Sequence, residues 1–239
     1  MTETTKIIKR RLKNYDEYNV NPKKFLALNN PLHIYILGLI WSDGHVNTKG
    51  RNELIIFTQS YPDATHFKPI FMKTGNWKIY EIQEKQFARK VDIKTNNHYI
   101  CQFLVENDYK QKSLVSPDKI LDLIPEELQH YFYLGVSDGD GYWYLNHKNH
   151  CFQFNMTSSY DQDWNYMVKL CNKLGMNYRI ERRNVTYKGQ PRGRCSKFRL
   201  TSKIPFIKFR EYLYSTNLAK RLGLKRKVDS AYSLEKCPN

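Results

Sequence analysis

Alternation of apolar and polar residues is the clearest regularity in this sequence. The segment FQFNMT (residues 152–157) alternates strictly, and shorter segments at 178–181 and 197–200 do the same. Successive side chains of a β-strand point to opposite faces, so these segments predict an antiparallel sheet with one face on a core and the other exposed. Residues 54–57 (LIIF) alternate less regularly, because they are apolar on both predicted faces.

The pattern of elements occurs twice along the chain. The segment YILGLIWSDGHV (residues 35–46) resembles YFYLGVSDGDGYWY (residues 131–144), and each precedes a predicted strand that ends in Thr, a polar residue, Ser and Tyr. A helix with an N-terminal Asp and a C-terminal Gly follows at 63–75 and again at 163–175. We therefore predict an α+β fold of two pseudo-symmetric αββαββα repeats. Each repeat is a four-stranded antiparallel sheet backed by helices, and the repeats pack through their first helices.

The two repeats also predict the division of the chain into segments. The segment between them carries Pro117 and Pro125 and is predicted to be a linker. The predicted segments are a basic N-terminal extension at 1–30, a first half at 31–112, the linker at 113–129, a second half at 130–230 and a C-terminal tail at 231–239.

An acidic residue stands at the end of each repeat's first helix, Asp43 in the first and Asp140 in the second. A helix C-terminus carries a partial negative charge, so a carboxylate there costs about 0.3–1 kcal/mol, and the pair predicts a positive partner. Gly38 and Gly135 allow the two helices to pack closely, which would bring the carboxylates together. Hard oxygen ligands favour Mg²⁺ over zinc or copper. The alternative is two buried helices that each end in an Asp-Gly turn.

The charge of the chain indicates a class of partner. Lys and Arg number 39 against 23 Asp and Glu, and the net charge of +16 predicts a polyanionic partner. The alternatives are a merely soluble basic protein and one bound to an anionic membrane, but we identify no clear basic amphipathic helix. The sequence has no stretch of about 20 apolar residues and no signal-peptide pattern. It therefore predicts an intracellular nucleic-acid-binding protein with no membrane partner.

Two nine-residue segments carry a resemblance to a known family. The segments ILGLIWSDG (residues 36–44) and YLGVSDGDG (residues 133–141) resemble the motif of the LAGLIDADG homing endonucleases, and the resemblance extends from about residue 31 to 230. Two motifs in one chain are similar to the monomeric, pseudo-symmetric branch of that family. Trp41 departs from the motif at its first acidic position, and Ser137 and Gly139 make the second helix end unusual.

The resemblance implies a function. A member of this family is a site-specific endonuclease that hydrolyses both strands of a long, asymmetric double-stranded DNA target and serves intron or intein mobility. The implied cofactor is Mg²⁺, with Mn²⁺ as a substitute and Ca²⁺ non-productive, and the implied compartment is a bacterial or phage-infected cytoplasm or an organelle. The alternative is a non-cleaving binder on the same scaffold, either an intron maturase that binds RNA or a DNA-binding regulator. The two acidic residues argue against a binder, which gains nothing from carboxylates beside phosphates.

The resemblance also implies the residues of the site. Asp43 and Asp140 are the implied catalytic metal ligands, together with the main-chain carbonyls of Ser42 and Gly139. The polar residues implied near the attacking water are Gln59 and Ser158. The lysines implied to stabilise charge on the transferring phosphate are Lys110 and Lys225, with Lys112 and Lys227 as the nearby alternatives.

The exposed sheet faces are predicted to contact DNA bases and phosphates. The alternative is an ordinary solvated sheet face. Residues 1–30, with the segment KIIKRRLK, are either an extra DNA-contacting arm or a flexible basic tail. The predicted DNA-binding residues are Gln153, Asn155, Thr157, Arg179, Glu181, Arg183, Lys197 and Arg199 in the second half, and Lys78, Tyr80 and Lys94 in the first.

Overall fold

The computed structural model describes residues 20–48, 53–83, 88–146, 151–187 and 190–233. The elements of the first half are α1 (Pro22–Phe25), α2 (Pro31–Asp43), β1 (Gly44–Asn47), β2 (Leu54–Ser60), α3 (Tyr61–Met72), β3 (Lys78–Ile82), β4 (Lys90–Thr95) and α4 (His98–Glu106). A 3₁₀ turn (Tyr109–Gln111), α5 (Asp118–Leu123) and a second 3₁₀ turn (Glu126–Leu128) connect the halves. The elements of the second half are α6 (Gln129–Asp140), β5 (Gly141–Asn146), β6 (Cys151–Ser159), α7 (Asn165–Leu174), β7 (Arg179–Tyr187), β8 (Gln190–Leu200), α8 (Lys203–Leu213), α9 (Asn217–Leu222) and α10 (Lys225–Tyr232).

Each half contains one four-stranded antiparallel sheet. The strand orders are β1-β2-β4-β3 and β5-β6-β8-β7, so corresponding strands occupy corresponding places. In both sheets the strand that follows the first helix lies at an edge, and the strand after it pairs with the last strand of the repeat. The predicted α+β fold with two αββαββα repeats is confirmed.

Helices α2 and α6 pack against each other through two glycines. A Cβ atom on Gly38 would lie 2.2 Å from the carbonyl oxygen of Phe132, and one on Gly135 would lie 2.2 Å from that of Tyr35. Both distances are far inside van der Waals contact, so any side chain at either position would force the helices apart. The apolar residues of α2 from Ile34 to Ile40 are fully buried, which places this helix pair at the centre of the molecule.

The sheets follow the predicted alternation of faces. In the second half Phe154, Met156, Phe198 and Leu200 are buried against the helices. The residues between them point to the opposite face. In the first half Ile55, Phe57, Val91 and Ile93 form the buried face. Within the described ranges, the opposite face of each sheet carries most of the polar strand residues.

Of the four predicted helix caps, only Gly175 is confirmed. In the second repeat the N-cap of α7 is Trp164, and Asp163 lies one residue before it, where its carboxylate accepts from the Asn165 N–H at 2.9 Å. Helix α7 ends at Gly175, whose φ of 58° is the left-handed conformation that glycine adopts readily. In the first repeat α3 ends at Met72 with Lys73 as its cap, so Gly75 lies beyond the helix and is not its cap. Asp63 lies in the first turn of α3, not at the N-cap, which is Ser60.

Two segments predicted to lie outside the halves pack onto them. From Val20 onwards the predicted N-terminal extension contributes to the core, because Val20 and Phe25 are fully buried and the Asn97 side chain donates to the carbonyl of Val20 at 2.7 Å. The predicted tail begins inside α10, which extends to Tyr232. Residues 1–19 and 234–239 lie outside the described part of the chain.

The end of each repeat crosses onto the other half. After the first repeat, the carbonyl of Leu114 accepts a hydrogen bond from the Asp163 N–H at 2.8 Å. After the second repeat, the Arg226 guanidinium binds both carboxylate oxygens of Asp63 on α3, at 3.0 and 2.9 Å. The two crossings are related by the repeat. They join the halves at two places besides the central helix pair.

Candidate functional site

The C-terminal ends of α2 and α6 lie side by side beneath the two sheets. A Cβ atom on Gly139 would lie 2.0 Å from the hydroxyl oxygen of Ser42 and 3.1 Å from a carboxylate oxygen of Asp43. The small residue that made the second helix end unusual is therefore required by the contact. The geometry brings the last acidic residue of each motif helix to one place, as the sequence predicts.

The two carboxylates have different surroundings. Asp43 is half-buried, and the Gln59 side-chain amide donates a hydrogen bond to it. Asp140 accepts no hydrogen bond from any described residue, and solvent reaches it. Many protein atoms nevertheless surround the Asp140 carboxyl, and their desolvation together with repulsion from Asp43 raises its pKa to about 6. Desolvation also raises the pKa of Asp43, and the hydrogen bond from Gln59 opposes that shift.

The lysines that reach the helix ends are the two alternatives, Lys112 and Lys227. The Lys112 ammonium donates to the carbonyls of Ser42 at 2.7 Å and Gly44 at 2.8 Å, and to a tyrosine hydroxyl. The Lys227 ammonium donates to Ser137 at 2.9 Å, Gly139 at 3.1 Å and the carbonyl between them. Burial lowers the pKa of Lys112 to about 8, and it also lowers that of Lys227. Each lysine thus satisfies a negative helix end that the sequence predicted would need a cation.

The first-named lysines, Lys110 and Lys225, do not occupy these places. Lys110 is exposed in the 3₁₀ turn, and Lys225 is 81% exposed and pairs with Asp229 on its own helix at 2.6 Å. Residues two apart in a turn or helix point in different directions, which explains why the two lysines of each run have different environments. The structure therefore places Lys112 and Lys227, and not Lys110 and Lys225, against the helix ends that carry the carboxylates. The role of Lys110 and Lys225 at a transferring phosphate stays a prediction.

Tyr109, which was not among the predicted site residues, also binds main-chain carbonyls at the C-terminal end of α2. The Tyr109 hydroxyl donates to the Ile40 carbonyl at 2.7 Å and also contacts that of Gly44. Trp41, the departure from the family motif, packs edge-on against Tyr109 with ring centroids 5.7 Å apart. The motif position that is usually acidic is therefore filled here by an aromatic pair.

The equivalent position of the second motif keeps its acidic residue, Asp138. This side chain is buried and accepts hydrogen bonds from the Tyr35 hydroxyl at 2.7 Å and the Leu224 N–H at 2.8 Å. Its bond to Leu224 fixes the residue just before α10, which carries Lys227. Asp138 therefore helps to position that lysine, whose ammonium it also attracts.

The polar residue beside Asp140 also differs from its counterpart in the first half. Ser158 corresponds to Gln59, but its hydroxyl donates to the Gln162 side chain at 2.7 Å and does not reach a carboxylate. Ser158 and Gln162 line a cavity of about 90 Å³ together with Asp140, Lys112 and Trp164. Gln162 was missed in the sequence because it lies in the turn after β6, outside the motif and the strand.

The donor set suits a hard divalent cation. No group of three or more His, Cys, Asp or Glu residues that could enclose a metal occurs among the residues the structure describes. An ion here would be held by Asp43 and Asp140 and completed by phosphate oxygens and water, which is how Mg²⁺ is commonly bound. The carbonyls of Ser42 and Gly139, predicted as further ligands, already accept hydrogen bonds from lysine ammonium groups. A cation there would be repelled by the lysines, so the two carboxylates are the stronger ligands.

All eleven predicted DNA-binding residues lie on the exposed faces of the two sheets. In the second sheet Asn155, Arg199 and Arg179 form one row across three strands, and Thr157, Lys197 and Glu181 form the next. In the first sheet the row that corresponds to Asn155 is Ile56, Lys94 and Lys78. Tyr142 and Tyr144 on β5 are also exposed on this face, which the sequence analysis did not include.

Similarity to solved structures lies in the fold and not in the sequence. No protein-family model and no curated protein sequence matches this chain. The homing endonuclease I-WcaI bound to its DNA recognition sequence is 16% identical with a TM-score of 0.54, and the match covers 95% of this chain and 94% of that one. A variant of I-DmoI in complex with its target DNA in the presence of manganese is 14% identical with a TM-score of 0.51, over 82% of this chain and 99% of that one. The fold implied by the sequence resemblance is thereby confirmed.

None of the helices within the described ranges combines the length and apolar character needed to cross a lipid bilayer.

Proposed function

We propose that this chain, which has the fold of the LAGLIDADG homing endonucleases, is a site-specific endonuclease that cuts both strands of double-stranded DNA with a divalent metal. The observation that carries the proposal is the convergence of Asp43 and Asp140 from separate repeats at one place beneath two basic sheet faces. Two desolvated carboxylates, one of which raises the pKa of the other, are costly without a cation. Their retention at a polyanion-binding surface is explained by metal-assisted chemistry.

Different residues of the chain have different roles in this proposal. Asp43 and Asp140 hold the ion, whose chemistry is to neutralise charge and polarise the phosphate at the scissile bond. Gln59 orients Asp43 through its hydrogen bond. Lys112 and Lys227 hold the carbonyl ends of α2 and α6 in register, so that the two carboxylates keep their spacing. The cations of both sheets bind the DNA backbone and position the scissile phosphates between the halves.

The second candidate is a nucleic-acid binder that does not cleave, acting on DNA as a regulator or on RNA as a maturase. The observation that favours it is the commitment of Lys112 and Lys227. Each ammonium already makes three hydrogen bonds to protein oxygens, which leaves neither free for a transferring phosphate. The two candidates share the surface and differ in whether the carboxylates serve chemistry.

A cleavage selection from a library of randomised duplex sites separates the candidates. With Mg²⁺ or Mn²⁺ the wild-type protein is expected to enrich a long asymmetric site and to linearise a plasmid that carries it, and EDTA is expected to stop the reaction. Asp43→Asn and Asp140→Asn should each abolish cutting while binding is retained. The matched control is Asp229→Asn, which removes a carboxylate of similar size on α10 away from the site and should cut normally. Binding without cleavage under every metal condition would favour the second candidate.

A further inference from the structure

Arg199 lies on β8, at the centre of the exposed face of the second sheet, and bonds to three side chains on the two strands that flank it. Its Nε donates to Asn155 at 3.1 Å, and one terminal nitrogen donates to both oxygens of Glu181 at 2.8 and 3.1 Å. The other terminal nitrogen donates to the side-chain oxygen of Gln153 at 3.0 Å. All three nitrogens of the guanidinium are therefore engaged within the sheet.

The neighbouring cations differ from Arg199 in this respect. Arg179, Arg183 and Lys197 lie on the same face, and in the described part of the chain none of their side chains donates a hydrogen bond to another residue. These three can bind phosphates or base edges without breaking a protein contact. Arg199 could do so only by breaking its charge-assisted pair with Glu181 and its hydrogen bonds to the side chains of Asn155 and Gln153.

We propose that Arg199 sets DNA sequence specificity as a positioning residue: it orients Glu181 and Gln153 toward the bases and does not itself contact them. The proposal rests on the proposed function, since it assumes that this sheet face docks on DNA. Asn155 is 4% exposed, and its side-chain oxygen accepts the hydrogen bond from the Arg199 Nε. The Glu181 side chain is 35% exposed against 23% for Arg199, so the carboxylate is the more accessible member of the pair.

The chemistry of the held groups indicates what they recognise. A carboxylate next to a polyanion is unfavourable unless a cation neutralises it, and Arg199 supplies that cation. The remaining lone pairs of Glu181 suit the exocyclic amine of cytosine or adenine in the major groove. The side-chain oxygen of Gln153 accepts from Arg199, and its amide nitrogen donates one N–H to the Cys151 sulfur at 3.0 Å. The second N–H of that amide is the group that can face a base acceptor. The arrangement presents an acceptor on β7 and a donor on β6 at fixed positions on the two sides of β8.

The first sheet provides a matched comparison. Lys94 occupies the place of Arg199 but pairs with one carboxylate, Asp92, at 2.7 Å, and lies over the Tyr80 ring at 5.2 Å. Its neighbour on β2 is Ile56, which has no group to orient. The ammonium of Lys94 thus organises much less than the guanidinium of Arg199, and its loss should weaken binding more than it changes specificity.

The experiment is a binding selection from a randomised duplex library without divalent metal, so that cleavage plays no part. Arg199→Lys keeps the charge, but its single ammonium nitrogen cannot reproduce the planar guanidinium, whose separate nitrogens reach side chains on both flanking strands. We expect it to lose about tenfold preference at two or three adjacent base pairs, including one that presents an exocyclic amine. Glu181→Gln should lose preference at the same base pairs. Lys197→Gln and Lys94→Gln should instead weaken all sequences alike, and each should lower the salt dependence of binding by about one phosphate contact.

Two results would overturn the inference. One is loss of preference for a single guanine in Arg199→Lys with Glu181→Gln unchanged, which would make Arg199 a direct reader. The other is a uniform loss of affinity in Arg199→Gln with the salt slope reduced by about one contact, which would make it a phosphate ligand. Circular dichroism of each variant confirms that the sheet is intact, and Arg199→Lys remains informative if Arg199→Gln unfolds. A wild-type protein that selects no sequence at all would instead refute the proposed function.

Discussion

The two halves share one backbone plan and differ in the side chains placed on it. At the helix interface the halves are nearly equivalent. A Cβ atom added to either Gly38 or Gly135 would lie 2.2 Å from a carbonyl oxygen of the opposite helix. Around the carboxylates they are not interchangeable, because Gln59 reaches Asp43 whereas Ser158 turns to Gln162. Close packing of the two helices allows only glycine at this position in both repeats. The solvent-facing site allows different side chains, and there the two repeats differ.

The largest effect is expected where the halves are alike. Gly38→Ala and Gly135→Ala should each destabilise the protein by about 3 kcal/mol or more, because the new methyl group meets main-chain oxygen that cannot move aside. Chemical denaturation measures the loss. The matched control is Gly175→Ala, where the nearest atom lies 3.5 Å away and the left-handed backbone alone costs about 1 kcal/mol. Unequal effects of the two interface variants would mean that the helix packing is not equivalent in the two repeats.

The next effect separates the two carboxylate environments. Gln59→Leu removes the hydrogen bond that orients Asp43, and cleavage or metal affinity should fall about 10- to 100-fold. Ser158→Ala removes a hydroxyl that contacts only Gln162 among the described residues, so its effect should be less than about tenfold. Single-turnover cleavage over a series of Mg²⁺ concentrations compares the two variants. Equal losses would show that Ser158 acts on Asp140 when DNA is bound.

A smaller effect concerns pH and the metal-free protein. The pKa of Asp140 is raised to about 6, so its folded form binds a proton more tightly than the unfolded chain does. Its protonated state therefore stabilises the fold at low pH, and that stability is lost as pH rises from about 4 through about 6. Asp140→Asn should raise the Tm at pH 7 by less than about 3 °C, with no gain near pH 4. A lower Tm for this variant at pH 7 would contradict the assignment of repulsion at the site.

The smallest effect tests the crossing from the second half to the first. Arg226→Ala should cost about 0.5–1 kcal/mol, because the ion pair with Asp63 is half-exposed. The hydrogen bond from Arg226 lowers the pKa of Asp63, so the stabilisation is present at neutral pH and is lost as pH falls through the acidic range. Lys225→Ala is the control, since its partner Asp229 lies on the same helix. A double-mutant cycle of Arg226 and Asp63 measures the coupling, and a value of zero would remove this crossing as a stabilising contact.

The fold was predictable because its signals are periodic and repeated. The glycines of the motif helices, the alternating strands and the acidic helix ends recur at matching places, so each repeat supports the interpretation of the other. The exposed-face residues followed from the same alternation. The convergence of Asp43 and Asp140 was predictable because each follows the glycine of its helix at the same spacing, so helices packed through those glycines end together.

The details of the site depended on contacts that leave no periodic signal. The choice between Lys110 and Lys112 is made by a 3₁₀ turn, and that between Lys225 and Lys227 by where α10 begins. Gln162 comes close to Ser158 only because a turn reverses the chain after β6. The basic composition around α1 concealed the apolar residues Val20 and Phe25, whose partners are distant in sequence.

The crossing segments affect any attempt to recombine this protein. In a chimera that takes residues up to 112 from another protein, the helix end at Asp43 and the lysine at 112 would come from the same parent. The α3 opposite Arg226, however, would then come from the other protein. A design that exchanges one half must therefore also import the partner side of each crossing, namely the start of α3 or the turn before α7. Without those few residues, two well-folded halves from different parents would pack through the central helices but would lack the two crossing contacts.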